Sequence, residues 1–503
     1  MLTSQIVVDR DFTIATLDRR VFGTFVEHMG RCVYSGIYEP RHPTANEHGF
    51  RQDVLALTRE LGATLVRYPG GNFLSGYNWE DGVGPKDRRP KRLDLAWGST
   101  ESNEFGTNEF ITWCRAAGVE PMFAVNLGTR GPDEARHFIE YCNHPGGTHY
   151  SDLRRAHGFE LPHDIKLWCL GNEMDGPWQI CRKTAAEYGR IAQETAKVMR
   201  WVDPSVQLTA CGSSNRSMPT YGHWEHEVLE RCFEHVDFIS LHQYFRNDTN
   251  DIRTYFSVIE DLEYFIKEVA AIADAIAAKR RSPKRIMLSL DEWNVWYKAH
   301  APADLRKPGW PEAPPLIEEV YNFEDALIVG GALITLMNNA DRVKVACLAQ
   351  LVNVIGAIMT ERGGAAWRQT IFHPFSQSSR FGFGEVLRTN IKTDSYSTDT
   401  HPRLNYLLAS VLHDQTSGRA TVFALNRSTT EEMQLSVELR GLGNRRLVGA
   451  TELHHADIKA QNTCLCPNAV EPSTHGQVSV AGTELRATLR PLSWNVFVTE
   501  RGY

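Results

Sequence analysis

Two glutamates follow apolar runs in similar polar surroundings. Glu173 comes directly after Asn172 at the end of one run, and Glu292 comes directly after Asp291 at the end of another. A pair of carboxyl groups facing one cleft is what glycoside hydrolysis requires, because one protonates the leaving oxygen while the other attacks the sugar or activates water. One such glutamate alone would more often be a structural acid, but two in these contexts favour catalysis. We therefore predict that Glu173 and Glu292 are the catalytic pair.

Further polar and aromatic residues near the ends of apolar runs could recognise a sugar. Carbohydrates are bound by amide and carboxylate groups that contact hydroxyls and by aromatic faces that contact C–H groups. The candidates are Glu27, His28, Arg67, Asn72, His242, Tyr244, Gln350 and Asn353, with Trp97, Trp178 and Trp296. His28 or His242 alone would more often be a core histidine. Arg67 could form a structural ion pair, although a guanidinium also keeps a nearby nucleophilic carboxylate ionised.

The elements that would position these residues are βα units. Between about residues 20 and 355, short apolar runs alternate with longer segments of helical period, and each run is nearly continuous in apolar residues, as a strand covered on both faces should be. From Ile259 to Ile276 the apolar residues recur every three or four positions, which predicts one long amphipathic helix. The eight candidate strands are residues 21–28, 65–71, 121–127, 166–173, 207–212, 238–244, 286–292 and 346–353.

Eight units of this size predict an α/β fold, the (β/α)8 TIM barrel, whose active site lies at the carboxyl ends of its strands. The two catalytic candidates follow the fourth and seventh strands, so they would face each other across one barrel mouth. An open doubly wound sheet of eight strands is the alternative. No glycine-rich phosphate-binding turn follows any candidate strand, which weakens a nucleotide-binding interpretation.

The hydrophobic period changes near residue 385. Leu435, Val437 and Leu439 alternate with polar residues, and further short β runs at 420–425, 446–451, 477–480 and 495–499 are separated by turn-forming residues. This pattern predicts a C-terminal all-β sandwich of the jelly-roll type. Residues 6–17 also form a strand pattern that could join the sandwich. We predict three segments: an N-terminal strand joining the sandwich (1–19), the catalytic barrel (20–384) and the β-sandwich (385–503).

Composition and charge argue against several classes of function. The 503 residues contain 54 Lys and Arg against 61 Asp and Glu, and the net charge of −7 would repel nucleic acid and anionic lipid. The ten cysteines show no zinc-binding spacing, so neither a metal nor a cofactor is expected. The longest apolar run, 326–337, is shorter than the ~18 residues of a membrane span and predicts a buried helix. No signal peptide is visible, so we expect a cytoplasmic location.

Six motif segments together carry a family resemblance. They are residues 27–34, 67–73, 76–82, 171–178, 291–297 and 350–353, and they include Arg-Tyr-Pro-Gly-Gly-Asn, Gly-Asn-Glu-Met and Asp-Glu-Trp-Asn. In this order, and over about residues 20–360, the chain resembles the α-L-arabinofuranosidases of glycoside hydrolase family 51. The C-terminal region resembles that family only in being rich in β-strands, and none of the six motif segments lies in it.

The resemblance implies a retaining, metal-free hydrolase that uses double displacement. Such an enzyme releases terminal non-reducing α-L-arabinofuranosyl groups from arabinoxylan, arabinan and arabino-oligosaccharides. Glu173 would be the general acid/base and Glu292 the nucleophile, with Arg67 and His242 in the hydrogen-bond network of the nucleophile. The implied substrate contacts are Glu27, Asn72, Asn172, Tyr244 and Gln350, with Trp296 and Trp97 shaping the pocket. A homo-oligomer, a hexamer, inside the cell is also implied.

Other functions remain open from the residues alone. A carboxylate pair determines the reaction type better than the sugar, so an endo-glucanase or β-xylosidase on the same barrel is the main alternative. A carbohydrate-binding protein without turnover is disfavoured because both carboxylates are present. The outer subsites would lie on loops such as 143–162 and 298–315, which carry no readable signal.

Overall fold

The computed structural model describes residues 1–297 and 308–502. Eight parallel strands form a closed barrel, in which Cys347 of the last strand pairs with Gly23 of the first. Closure confirms the predicted TIM barrel and excludes the open doubly wound sheet. In chain order the barrel strands are Gly23–Phe25, Leu65–Tyr68, Glu120–Val125, Leu167–Leu170, Gln207–Ala210, Phe238–Phe245, Met287–Val295 and Val343–Ala349.

Helices surround the barrel and bury the outer faces of its strands. The predicted amphipathic helix runs from Ser257 to Arg280, and the apolar run 326–337 lies in a helix whose residues are almost all buried. No helix in residues 1–297 or 308–502 is long and apolar enough to cross a membrane. The helices are Gln52–Leu61, Thr107–Ala117, Pro132–Asn143, His149–Ala156, Ala185–Val202, His223–Cys232, Ile252–Tyr255, Ser257–Arg280, Phe323–Asn338 and Phe372–Phe381.

Two sheets, in which most strand pairs are antiparallel, form the sandwich. One has the strand order Asn390–Lys392, Leu2–Asp9, Met433–Arg440, Glu484–Leu489 and Val478–Ala481. The other has the order Thr13–Thr16, Glu385–Leu387, Leu407–Asp414, Arg419–Asn426, Ser493–Arg501, Arg445–Leu453 and Ser473–Thr474. Alternate side chains of Met433–Arg440 are buried between the sheets, as the period of two requires.

The N-terminal strand Leu2–Asp9 pairs in parallel with Met433–Arg440, more than 400 residues later in the chain. It also pairs antiparallel with Asn390–Lys392. Both ends of the chain therefore contribute to the sandwich, on either side of the barrel in sequence. The segment boundaries at 19/20 and 384/385 stay a prediction. Of the loop 298–315, residues 298–307 lie outside the described residues.

The sandwich and the barrel share a packed junction. Trp494 is fully buried, donates from Nε1 to Gln377 Oε1 at 2.8 Å, and packs so closely on Gly330 that a Cβ there would lie 2.7 Å from the indole ring. The sandwich also contacts the long helix of the barrel, because Arg427 pairs with Glu260 at 2.7 Å. The position of that helix is thus fixed from both domains.

Candidate active site

The two predicted catalytic glutamates lie at the same mouth of the barrel but on different local structures. The fourth strand ends at Leu170, so Glu173 lies on the following loop, with a left-handed φ of 43°. Glu292 lies inside the seventh strand, Met287–Val295. The predicted strand 166–173 was therefore too long at its carboxyl end, and the predicted strand 286–292 was too short.

One histidine bridges the two carboxylates. His242 Nδ1 lies 2.9 Å from Glu173 Oε1 and 3.4 Å from Glu292 Oε2. One oxygen of Glu173 and one of Glu292 lie within 4.8 Å of each other. A retaining site places its carboxyl groups about 5–5.5 Å apart and an inverting site about 6.5–9.5 Å apart. An oxygen-to-oxygen distance of at most 4.8 Å falls short of the inverting range and favours the retaining arrangement.

Glu292 is held by donors on both of its oxygens. Arg67 donates from Nη1 to Oε1 at 2.8 Å, and the Tyr244 hydroxyl donates to Oε2 at 2.9 Å. Arg67 is itself buried and uses Nη2 to reach Asn172 Oδ1 at 2.7 Å. These contacts fix the orientation of the Glu292 carboxylate and tie it to the residue that precedes Glu173.

His242 is a buried cation in this network. Burial opposes the charged imidazolium, but the negative charges of Glu292 and Asp291, with hydrogen bonds to Asp291 and Glu173, outweigh it and raise the pKa of His242 to about 10. Asp291 accepts from Nε2 at 3.1 Å and lies 3.7 Å from the Arg67 Nε. Burial would raise the pKa of Asp291, but Arg67 and His242 hold it below its usual range. Sequence reasoning gave Asp291 no role, although its place directly before Glu292 was the available signal.

Glu173 has the electrostatic surroundings of a proton donor. Burial, together with the negative charge of Glu292, raises the pKa of Glu173, and hydrogen bonds from His242 and Trp178 only partly oppose the shift. Trp178 donates from Nε1 to Glu173 Oε2 at 2.5 Å. A carboxyl group whose pKa is raised stays protonated closer to neutral pH, as a general acid must.

Glu173 and Glu292 line a cavity of ≈ 1510 Å³. Arg67, Asn172 and His242 contact catalytic or lining residues from behind its wall. The Asn172 Nδ2 is buried and has no hydrogen-bond partner among the described residues. Of the other predicted site residues, His28 and Asn353 do not line the cavity, and the Asn353 side chain instead contacts Arg31 and Thr360. The remaining ones line it: Glu27, Asn72, Trp97, Glu173, Trp178, Tyr244, Glu292, Trp296 and Gln350.

Glu27 is a buried residue of the cavity wall. Its Oε1 accepts hydrogen bonds from the Phe73 amide and from Trp97 Nε1, both at 3.0 Å. Gln350 accepts from the Glu27 amide at 3.1 Å. Burial and the negative charge of Glu292 raise the pKa of Glu27 to about 8. By contrast, His28 is a core residue whose ring nitrogens contact Glu101 and Tyr68.

The sequence reasoning missed a large part of the cavity wall. The missed lining residues include Met29, Ser214, Asn215, Arg216, Ser217, Tyr221, Arg246, Asp261, Glu268, Ile317 and Ile355. The polar run 213–217 directly after the fifth strand was a usable signal. The side chains of Asp261 and Glu268 could not be recognised in the same way, because they belong to the polar face of a long helix.

Among the described residues, Glu173, His242 and Glu292 form the one group of donors close enough to hold a metal ion. A histidine must lose its proton to bind a metal. Because the pKa of His242 is about 10, its imidazole is protonated at neutral pH and is a poor metal ligand. The donor set therefore suits proton transfer better than metal binding.

Comparisons with known proteins agree with this geometry. Family models described as the α-L-arabinofuranosidase 1 domain and the α-L-arabinofuranosidase C-terminal domain match residues 57–261 and 291–493. The chain is 54% identical over 99% of both chains to an intracellular exo-α-(1→5)-L-arabinofuranosidase of Bacillus subtilis. It is 48% identical to an exo-α-(1→6)-L-arabinofuranosidase of Bifidobacterium longum, over 98% of this chain and 96% of that one.

A solved structure of a family 51 α-L-arabinofuranosidase from Bifidobacterium longum superposes with a TM-score of 0.95, at 42% identity over 99% of both chains. The chain belongs to the α-L-arabinofuranosidases of glycoside hydrolase family 51. This confirms the resemblance carried by the motif segments, and it makes the protein a glycosidase. The comparisons favour this arabinofuranosidase assignment over an endo-glucanase, a β-xylosidase or a binding protein without turnover.

Proposed function

We propose that this glycosidase hydrolyses terminal α-L-arabinofuranosyl groups with retention of configuration, with Glu292 as nucleophile and Glu173 as general acid/base. The observation that carries the proposal is the contrast between two carboxyl groups whose oxygens lie within 4.8 Å. Glu292 is fixed by Arg67 and Tyr244. Glu173 has a raised pKa and lies at the outer side of the pair, beside the exposed Trp178.

The reaction proceeds in two displacements. Glu292 attacks the anomeric carbon while Glu173 donates a proton to the leaving oxygen, which gives a covalent glycosyl ester and a free alcohol. Glu173, now a carboxylate, then removes a proton from water as the water attacks the anomeric carbon, whose bond to the Glu292 oxygen breaks to release arabinose and the free Glu292 carboxylate. His242 Nδ1 contacts both carboxyl groups, so the imidazolium can stabilise negative charge on either glutamate without moving.

The substrate is a short arabinose-containing oligosaccharide that enters with its non-reducing end first. Glu27 and Gly71 line the cavity beside Glu292, and a Cβ on Gly71 would already contact Glu292, so little space is left beyond the nucleophile for further sugar units. We infer the 1→5 linkage because the relative with 54% identity is named for it. Release of arabinose from 1→5-linked but not 1→6-linked arabinobiose, followed by chromatography, tests this choice; the reverse preference contradicts it.

Two alanine variants test the roles of the carboxylates. Glu292→Ala should lose turnover of every substrate, because no nucleophile remains. Glu173→Ala should keep much of its first step on a dinitrophenyl arabinofuranoside, whose leaving group needs no proton, and then stall at the glycosyl ester. Azide should accelerate the second step and give a product of retained configuration. The surface variant Glu194→Ala, on the helix Ala185–Val202, serves as the matched control.

Two results would reverse or remove this assignment. Rescue of Glu292→Ala by azide with retention would exchange the roles of the two carboxylates. Equal loss of activated and natural substrates in Glu173→Ala, without any response to azide, would contradict its role as acid/base. The anomer of the first product, observed by NMR, reports the stereochemistry directly.

Location and assembly complete the proposal. The Bacillus subtilis relative is named intracellular, and we propose the same location here. The homo-oligomer, a hexamer, stays a prediction from the family resemblance. Sedimentation of the purified protein tests it, and a monomer at micromolar concentration contradicts it.

A further inference from the structure

The cavity is larger than one pentose requires. Its ≈ 1510 Å³ exceeds the roughly 300–1,000 Å³ of pockets that enclose drug-sized ligands. Glu27 and Trp97 are buried and hydrogen-bonded to each other, so they mark the deep end of the cavity. The more exposed lining residues, such as Trp178 and Arg216, mark its open side, where the additional volume lies. The wall of this outer part contains ion-paired side chains, among them Arg216, Asp261 and Glu268.

Arg216 is fixed within this wall. Its Nε and Nη2 donate to the two carboxylate oxygens of Glu268 at 2.9 and 2.6 Å, and its Nη1 donates to Asp261 at 3.3 Å. The Tyr221 hydroxyl donates to Glu268 at 2.7 Å, and the guanidinium lies 5.5 Å from the centroid of the Tyr264 ring. A bidentate pair of this kind holds the plane of the guanidinium in one orientation.

The sandwich also supports this wall. His401 Nε2 lies 3.5 Å from Asp261, and the His401 ring stacks on Tyr264 with a centroid distance of 6.2 Å. Arg427 pairs with Glu260, the residue before Asp261. The C-terminal domain therefore helps to hold the helix that carries Asp261 and Glu268 in its position.

Arg216 lies on the leaving-group side of the site. The neighbouring Ser214 donates its amide to Asp175 at 3.0 Å, and Asp175 is two residues from Glu173. The general acid must face the leaving oxygen, so a loop attached to the segment of Glu173 flanks the leaving sugar. Trp178, which contacts Glu173 and is 48% exposed, borders the same side.

The Arg216 guanidinium has N–H groups that are not used in its contacts with Glu268 and Asp261. It carries five N–H groups, and three of them are used in the contacts with Glu268 and Asp261. The side chain remains 36% exposed and lines the cavity. With carboxylate oxygens beside it, this cluster offers both donors and acceptors, which matches the hydroxyl groups of a neutral sugar.

We propose that Arg216 is a specificity-determining residue that donates hydrogen bonds to the hydroxyl oxygens of the sugar on the leaving-group side. The inference rests on the proposed function. An aryl leaving group offers no hydroxyls to this residue, whereas an arabinose unit offers several. Arg216 thus selects oligosaccharides over simple arabinosides by binding, and it takes no part in proton transfer.

The test compares two substrates in one set of variants. For Arg216→Met, kcat/KM for 1→5-linked arabinotriose should fall roughly tenfold or more, mainly through KM, because hydrogen bonds to a charged group are lost. The kcat/KM for 4-nitrophenyl α-L-arabinofuranoside should stay within about twofold. Arg216→Lys keeps the charge without the planar fork and should give an intermediate loss on arabinotriose. Arg190→Met, which removes an exposed arginine from the outer surface, should change neither value.

The outcomes separate the two proposals. An equal fall on both substrates, or no fall on arabinotriose, overturns the role of Arg216 and leaves the proposed function intact. A wild-type enzyme that cleaves neither arabinofuranoside overturns the proposed function, and the inference with it. Melting temperatures of the Met and Lys variants within a few degrees of the wild type exclude loss of folding as the cause of a change.

Discussion

One added methyl group at Gly71 should displace Glu292, the proposed nucleophile. A Cβ at this position would lie 2.9 Å from Glu292 Oε1, 3.4 Å from Glu27 Oε2 and 3.5 Å from Asn172 Nδ2. Ordinary non-bonded contacts of carbon begin near 3.4 Å, so the Glu292 oxygen would have to move by about 0.5 Å. That oxygen is the one held by Arg67 at 2.8 Å, and the hydrogen bond must lengthen or rotate with it.

The size of the effect follows from the tolerance of catalytic geometry. A misplacement of about 1 Å costs on the order of 100-fold in rate, and functional groups need to be held to within about 0.5 Å. We therefore expect Gly71→Ala to lower kcat/KM by roughly 10- to 100-fold, which is about 1.4–2.7 kcal/mol of transition-state stabilisation. The loss should include aryl substrates, because the nucleophile acts in the first step on all of them.

Kinetics on an aryl arabinofuranoside, with the release of the aryl group followed before steady state, measure that first step. Gly449→Ala is the matched control, because a Cβ there would have its nearest neighbour at 3.7 Å, on Val498 in the sandwich. The control should keep full activity. If Gly71→Ala retains activity within twofold, or if it loses activity only in proportion to a lowered melting temperature, the reasoning about the displaced carboxylate is refuted.

Three further predictions concern metal, pH and packing. Activity should survive exhaustive treatment with EDTA, and a loss that a divalent ion restores would contradict the metal-free mechanism. The pKa of His242 is about 10 in the folded protein, above the value of about 6.5 when unfolded, so its stabilising contribution is complete below about pH 6.5 and is lost as pH rises toward 10. In urea titrations across this range, the free energy of unfolding should therefore fall more steeply with pH in the wild type than in His242→Gln; equal slopes would be evidence against the buried imidazolium. Trp494→Ala should lower the free energy of unfolding by about 3–5 kcal/mol, because it empties the junction between the domains, whereas the exposed Trp201→Ala should change it little. Similar urea midpoints for the two tryptophan variants would contradict the importance of that junction.

The sequence was sufficient to locate the barrel strands but not their ends. All eight were recognisable because strands of a parallel barrel are covered on both faces and so are continuously apolar. The fourth strand ends early because Gly171 adopts a left-handed φ of 89°, which turns the chain before Glu173. Hydrophobic patterns carry no information about such a backbone angle, so the run 166–173 was taken as one strand.

The same limit applies to the site. Residues that follow strands, such as Glu27 and Asn72, could be predicted to line the mouth because barrel topology brings all strand ends together. The wall around Arg216 could not, because its contact with Glu268 joins a loop to a helix face 52 residues away. Contacts of that kind depend on how each helix is rotated against the barrel, which one sequence does not specify.

The pairing of Leu2–Asp9 with Met433–Arg440 also affects how the chain is made. The ribosome releases the first strand long before its parallel neighbour exists, and at about 5–20 residues per second the intervening chain takes roughly 20–90 s to synthesise. Until residues 390–392 emerge, the barrel can close while Ile6 and Val8, which are fully buried in the finished sandwich, have no neighbouring strand to cover them. The sandwich can therefore be completed only after the last strand, Ser493–Arg501, has been synthesised, and chaperones that shield nascent apolar segments have their longest opportunity at the N-terminus.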